Sequence, residues 1–289
     1  MYSLAVRLFT LAPKNALSFA TGQAARLKLP KPLADLSCRG FAAVFRLNMD
    51  EASAPLSAYA TIEDLFTRSL KPGLRPISSP ICSPADGFLA RSGPIQAGEA
   101  IQAKGLPYAA ADLIFGATAP ETVKAQDFAW YQTIYLAPHN YHRVHAPFSG
   151  RVTKVTHFPG ELWPVNGPFV ARVPRLFSRN ERLVFSFDLS LGGKAYVVMV
   201  GAFNVGRMVT PLAPDVVTNN GRRQGNEQPS FTTFEPARDV AIGDEIGTFM
   251  LGSTVVIVYD HAAISGINLL RAQDNRPILM GQTLCTRQS

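Results

Sequence analysis

Residues 242–259 constrain the fold of this chain more than any other stretch. Ile242-Gly243-Asp244-Glu245-Ile246-Gly247 favours turns, Leu251-Gly252-Ser253-Thr254 follows, and Val255-Val256-Ile257-Val258-Tyr259 then runs without a polar break. The pattern predicts a strand, a tight bend and a buried strand. The bend has chemistry of its own. A serine behind a glycine has little steric cover over the preceding carbonyl, and glycine adopts backbone angles closed to other residues. The Ser253 hydroxyl is therefore placed to attack its own chain at Gly252. The same residues also suit an ordinary β-hairpin, so the rest of the chain has to decide.

From Lys71 onward, Pro72, Gly73, Pro76, Pro80, Pro84 and Gly87 punctuate short apolar segments. Strands are expected at 87–90, 133–136, 150–158, 183–189, 195–200 and 205–209, with a short helix at 109–115 and a polar loop at 219–230. Before Lys71 the texture is helical. Leu4, Leu8 and Leu11 recur at helical spacing, with Phe9 and Ala12 beside them, until Pro13. Further helices are expected at 15–29, ahead of Pro30 and Pro32, at 41–49, and at 61–70, where Thr61 and Asp64 form a capping box. The expected class is α+β. A helical region, 1–70, precedes a mainly β domain, 71–289.

Residues 1–34 hold Arg7, Lys14, Arg26, Lys28 and Lys31 and no acidic residue. Short basic amphipathic helices lie well on an anionic membrane surface. The same stripe also suits packing on the protein's own core. The 289 residues, 47% hydrophobic and 17% charged, describe a globular chain rather than a disordered one. A net charge of +7 suits nucleic acid, an anionic membrane or an acidic substrate. Cys38, Cys82 and Cys285 are odd in number and lack metal-like spacing, which fits a reducing compartment. No apolar run approaches the roughly 20 residues of a spanning helix. Arg7 and Lys14 interrupt what would be a secretory signal.

Three of the five histidines fall in Pro138-His139-Asn140-Tyr141-His142-Arg143-Val144-His145-Ala146-Pro147. Metal ligation, structural hydrogen bonding and acid–base catalysis all use histidine. The flanking prolines, the intervening Arg143 and the lack of an HExxH motif count against a metal site. A histidine base that activates a serine is oriented by a carboxylate on its other nitrogen. Asp86, in the turn Ser83-Pro84-Ala85-Asp86-Gly87, is the best candidate, although Asp-Gly is also among the commonest turn pairs.

These residues resemble the phosphatidylserine decarboxylases, pyruvoyl-dependent lipid enzymes, in their bacterial proenzyme form. Six motifs carry the resemblance, in order. They are Ser83-Pro84-Ala85-Asp86-Gly87; Gln102-Ala103-Lys104-Gly105; Tyr141-His142-Arg143-Val144-His145 with Pro147; Pro159-Gly160-Glu161-Leu162 with Val165-Asn166; Leu176-Phe177 with Asn180-Glu181-Arg182; and Leu251-Gly252-Ser253-Thr254. Leu65 and Ser69 depart from the pattern, and 219–230 matches none of it.

The resemblance implies two reactions. In the first, His145, held by Asp86, deprotonates Ser253. The alkoxide attacks Gly252, and the chain is cut into a β chain, 1–252, and an α chain, 253–289, headed by a pyruvoyl group made from Ser253. In the second, that group forms a Schiff base with phosphatidylserine, and carbon dioxide leaves to give phosphatidylethanolamine, with His142 as acid–base. Lys104 and Arg143 are the expected contacts to the lipid phosphate. Neither a metal nor pyridoxal phosphate is expected. The expected partners are phosphatidylserine, an anionic membrane surface, the two chains of one proenzyme and a second cleaved unit in a homodimer, but not nucleic acid. The expected place is the cytoplasmic side of the cell membrane, held peripherally. Two other readings stay open. One is a serine hydrolase using Ser253, His145 and Asp86, though Gly-x-Ser-x-Gly is absent. The other is a non-enzymatic biotinyl- or lipoyl-like β module around Gly243-Asp244-Glu245.

Overall fold

The apolar segments beyond Asp86 pair into an antiparallel sheet. A computed structural model describes residues 6, 9–10, 12–103, 106–204, 207–216, 218–219, 228–250, 253–272 and 275–286. Leu4, Arg7, Leu8, Leu11, Lys104, Leu251 and Gly252 lie outside the described residues. The strands are β1 (Gly87–Pro94), β2 (Glu99–Ala103), β3 (Leu106–Ala109), β4 (Phe128–Leu136), β5 (Arg143–His145), β6 (Gly150–Phe158), β7 (Arg182–Leu189), β8 (Lys194–Val200), β9 (Met208–Val209), β10 (Ser230–Val240), β11 (Glu245–Phe249), β12 (Ser253–Asp260), β13 (Asn268–Leu269), β14 (Arg276–Ile278) and β15 (Cys285–Thr286). Eight of them form one sheet in the order β10-β6-β7-β8-β12-β4-β1-β14. A small sheet, β5-β11-β9, carries the histidine motif.

The continuous apolar run of β12 takes the place its composition demands. Val255, Val256, Ile257, Val258 and Tyr259 are fully buried, and β12 pairs with β8 on one side and β4 on the other. Each such side chain contributes about 1.5–3 kcal/mol by leaving water. The registers bring one end of the sheet together at the future site. Ser253 faces Leu136, Thr254 faces Val200, and Arg182 faces both Val200 and Phe158. Gly87 opens β1 at that end. A Cβ there would sit 2.3 Å from the Tyr135 carbonyl oxygen, so only glycine lets β1 close on β4 directly after Asp86.

The helices are α1 (Lys14–Ala25), α2 (Lys31–Phe45), α3 (Ile62–Phe66), α4 (Ala110–Phe115), α5 (Gly167–Val170) and α6 (Leu176–Arg179). The Asp64 amide donates to the Thr61 hydroxyl at 3.0 Å, the expected N-cap. One helix departs from expectation. α2 starts at Lys31 rather than near Phe41, because Pro32 occupies its first turn, where a missing N–H costs nothing. α1 is docked on the sheet domain. Asn15 donates to the Gly160 carbonyl at 3.0 Å, the Asn204 amide donates to the Ser18 hydroxyl at 2.9 Å, and Phe9 packs edge-on against Phe169 and Phe203. The outward faces keep Leu27, Leu29, Leu33, Leu36 and Val44 in solvent. The fold is thus α+β and mainly β, and no described helix is long and apolar enough to cross a membrane.

Candidate active site

Ser253 is the first residue of β12 and is 1% exposed. Its Oγ has no hydrogen-bond partner among the described residues. A buried hydroxyl without a partner is costly and calls for an explanation. Ser253 lines a cavity of about 300 Å³ with Phe41, Phe45, Phe66, Phe203 and Asn166. The nucleophile therefore faces an apolar space roofed by α2 and α3.

His142 reaches the same place from the turn after β4. It is fully buried, and its ring lies 3.9 Å from that of Phe66, the residue that also walls the cavity. Its backbone carbonyl accepts from the Phe249 amide at 3.0 Å, which ties the turn to the strand just ahead of the bend. Nδ1 stands 2.8 Å from the Asn140 carbonyl oxygen. A carbonyl only accepts, so Nδ1 carries the proton and Nε2 carries the lone pair. That Nε2 is buried and unpartnered. Burial drives the His142 pKa down to about 3, so the ring is neutral over the physiological range.

His145 sits on β5, opposite Glu245 of β11. Its Nδ1 donates to the Gly243 carbonyl at 2.7 Å, and its Nε2 accepts from the Tyr141 hydroxyl at 3.0 Å. Burial lowers its pKa, partly offset by the bond to Gly243. Burial also pushes the Tyr141 hydroxyl up to about 12, so it stays a donor.

Asp86 is not the hydrogen-bonded orienter of His145. Its carboxylate takes two bonds from Arg75, at 2.9 and 2.6 Å, and one from the Met280 amide at 2.9 Å. Arg75 is shared with Glu51 at 2.7 Å. Asp86 acts on His145 through its charge, which favours the protonated ring, while the Gly243 carbonyl sets the tautomer. Arg143 is committed as well. It pairs with Glu245 at 2.9 Å and donates to the Thr67 carbonyl at 3.0 Å. Among the described residues no cluster of three ligating side chains could hold a metal ion.

The arrangement offers a buried serine hydroxyl, a neutral histidine with a bare lone pair behind Phe66 of the cavity wall, and a second histidine of fixed tautomer. Ser253 Oγ makes no bond to His145, whose Nε2 is held by Tyr141. The Gly243-Asp244-Glu245 turn holds no lysine for a carrier module. Phe66, Arg75 and the Gly243 carbonyl carried no local signal that marked them as part of this site. Tyr141 lay inside the histidine motif, where its hydroxyl was the available signal.

A family model described as phosphatidylserine decarboxylase matches residues 62–286. Among known proteins, the phosphatidylserine decarboxylase proenzyme of Acidovorax ebreus (strain TPSY) is 39% identical over 281 residues, 96% of this chain and 95% of the relative. That of Myxococcus xanthus (strain DK1622) is 38% identical over 258 residues, 88% and 89% of the two chains. That of Chromobacterium violaceum is 36% identical over 290 residues, 97% and 99%.

Proposed function

The chain belongs to the phosphatidylserine decarboxylase family, and from that premise we propose that it is a self-processing carboxy-lyase that turns phosphatidylserine into phosphatidylethanolamine. The observation that carries the reading is the buried Ser253 Oγ, unpartnered at the head of β12 and facing an apolar cavity. Two chemical steps follow from it.

In the first, His145 Nε2 releases the Tyr141 hydroxyl and takes the Ser253 proton. Oγ bonds to the Gly252 carbonyl carbon, the peptide C–N bond breaks, and the nitrogen is protonated, leaving an ester. Loss of the Ser253 α-proton breaks the Cβ–O bond and frees the Gly252 carboxylate. Hydrolysis of the resulting enamine releases ammonia and leaves a pyruvoyl ketone. The fixed His145 tautomer, with the charges of Glu245 and Asp86 favouring its protonated form, suits this work.

The residues present fit a pyruvoyl group at position 253. The side chain there is enclosed, it has no competing hydrogen bond, and its surroundings are aromatic. Such a group supplies an electrophilic carbonyl that accepts electron density as carbon dioxide departs. The chain's own residues do the rest. Phe41, Phe45, Phe66 and Phe203 exclude water and receive the glycerol and acyl portions of the lipid. Neutral His142 takes a proton from the substrate ammonium on its Nε2 lone pair as the amine becomes nucleophilic, and delivers that proton to the α-carbon after carbon dioxide leaves.

The lipid is drawn from a membrane, so the cavity has to open at one. Exposed Leu27, Leu29, Leu33, Leu36 and Val44 belong to the same helical region that supplies Phe41 and Phe45 to the cavity. Peripheral docking of residues 1–70 on the cytoplasmic face of the cell membrane fits this apolar stripe and the basic N-terminus. Intact-mass measurement, with and without a carbonyl-trapping amine, tests the whole reading. Two chains and a trapped adduct on the smaller one support it. A single unmodified chain that still decarboxylates lipid would falsify it.

A further inference from the structure

Among the described residues, Arg68 is a buried cation without a counter-ion. It follows α3, two residues after Phe66, and is 4% exposed. Its Nη2 donates to the His139 carbonyl at 3.0 Å, a neutral acceptor at the start of the histidine turn. Its Nε and Nη1 are buried and have no partner. The carboxylates whose charge it feels, Asp86 and Glu51, are both bonded to Arg75. Desolvation accordingly lowers the Arg68 pKa. A guanidinium is a planar fork suited to two oxygens of one anion, and burying it unpaired is strongly unfavourable.

The place of this cation matters. It is bonded to the His139 carbonyl, three residues before His142, and it follows Phe66, whose ring meets that of His142 at 3.9 Å. Phe66 links the two parts of this corner, with its face tilted 36° against the His142 ring and its side chain in the cavity wall with Ser253. The other cations nearby are taken: Arg143 by Glu245 and the Thr67 carbonyl, and Arg75 by Asp86 and Glu51.

We propose that Arg68 is the anion receptor of the site and that its free Nε and Nη1 bind the phosphodiester of the lipid headgroup. The proposal rests on the decarboxylase reading. The phosphodiester is favoured over the substrate carboxylate on chemical grounds. A carboxylate locked to a guanidinium is stabilised before carbon dioxide leaves, which raises the barrier. A phosphate bound away from the reacting carbon is held equally before and during reaction, and positions the α-carbon under His142.

The test uses the full-length protein as Arg68→Met and Arg68→Lys. KM and kcat are measured on phosphatidylserine in mixed micelles, with glycerophosphoethanolamine as a competitor that has the phosphodiester and lacks the carboxylate. Chain cleavage is read on a denaturing gel. The wild-type protein alone reports on the decarboxylase reading, since it must cleave and release carbon dioxide whatever Arg68 does. The expected result for Arg68→Met is two chains, a KM raised at least tenfold, a smaller fall in kcat, and competition weakened by the same factor as KM. Arg68→Lys should fall between the two. Unchanged competition overturns the proposal in three ways. With a weaker grip on phosphatidylserine alone, Arg68 serves the carboxylate. With kcat lowered and KM intact, it only braces the His139 carbonyl. With easier separation of the two chains, it serves the carboxylate that cleavage creates at Gly252. If both variants stay uncut, Arg68 belongs to processing or to the fold, and the proposal also falls.

Discussion

His145 gives its Nδ1 proton to the Gly243 carbonyl, 2.7 Å away, and so presents a lone pair at Nε2 to the Tyr141 hydroxyl. The usual carboxylate partner of such a base is replaced by backbone, and Asp86 is released to hold Arg75. A backbone carbonyl fixes a tautomer as firmly as a carboxylate does. It adds less stabilisation to the imidazolium that forms when the proton arrives. The residual pull on His145 comes from the charge of Glu245 first and then from that of Asp86.

Processing should therefore depend on both residues, but in different ways. His145→Ala should accumulate the uncut chain with little loss of stability. Asp86→Ala should slow cleavage and also destabilise the fold by about 3–5 kcal/mol, since Arg75 keeps only Glu51. Urea titration beside a cleavage time course separates the two effects. Normal stability in Asp86→Ala would contradict this account of its role.

Ser253→Ala should remain a single chain of 289 residues with no decarboxylase activity. Its stability should match that of the uncut wild type, or exceed it slightly, because the replaced hydroxyl is buried and unpartnered. Mass spectrometry and thermal unfolding read both outcomes. A cut Ser253→Ala chain would move the nucleophile elsewhere.

His142→Ala should still cleave, at least in part, and should lose about 10²–10⁴-fold in kcat, the usual worth of a positioned acid–base group. A single-turnover assay on purified cleaved protein gives the number. Complete failure to cleave, together with normal cleavage in His145→Ala, would exchange the two assignments.

Acid should unfold this protein through its histidines. The folded pKa of His142 lies near 3 and the ordinary value is 6.5, so the unfolded chain binds the extra proton first. The stability that a neutral His142 contributes is complete above pH 6.5. It is lost as pH falls from 6.5 toward 3 and is on the order of a few kcal/mol. His145 shifts in the same direction and adds to the slope. Guanidinium titrations at pH 7.5, 6 and 5 should show falling midpoints for the wild type. A flatter trend is expected for His142→Gln, and an equal slope in that variant would remove His142 as the cause.

Replacing Leu33, Leu36 and Val44 with Glu should weaken co-sedimentation with anionic liposomes while leaving chain cleavage intact. These side chains face solvent, so the substitutions cost the fold little. Raising salt should weaken wild-type binding only in part, because charge is screened and apolar contact is not. Undiminished binding by the triple variant would assign membrane contact to another surface.

What the sequence made legible was set by how local the signal is. Residues 150–158 could be bounded from sequence because Gly150 and Pro159 bracket a run rich in β-branched residues, Val152, Thr153, Val155 and Thr156, and β6 spans Gly150–Phe158. β10 went unseen. It is an edge strand, largely solvated, with Glu235, Pro236, Arg238 and Asp239 interrupting any apolar period. The first turn of α2 was hidden by reading Pro32 as a stop when it marks a start. Ser253 and His142 stood out through their motifs. Arg68 could not, because its meaning lies in what surrounds it. Only in three dimensions does Arg75 take both Asp86 and Glu51 and leave a second guanidinium unpaired.

The place of β12 gives the cut an odd consequence. The smaller product of processing is no trimmed tail, for it supplies the middle strand of the sheet, flanked by β8 and β4. Under the proposed cut, removing the smaller piece would mean taking the sheet apart, so a spent prosthetic carbonyl at residue 253 would have no exchange route, and replacing inactivated enzyme would require translating a new chain.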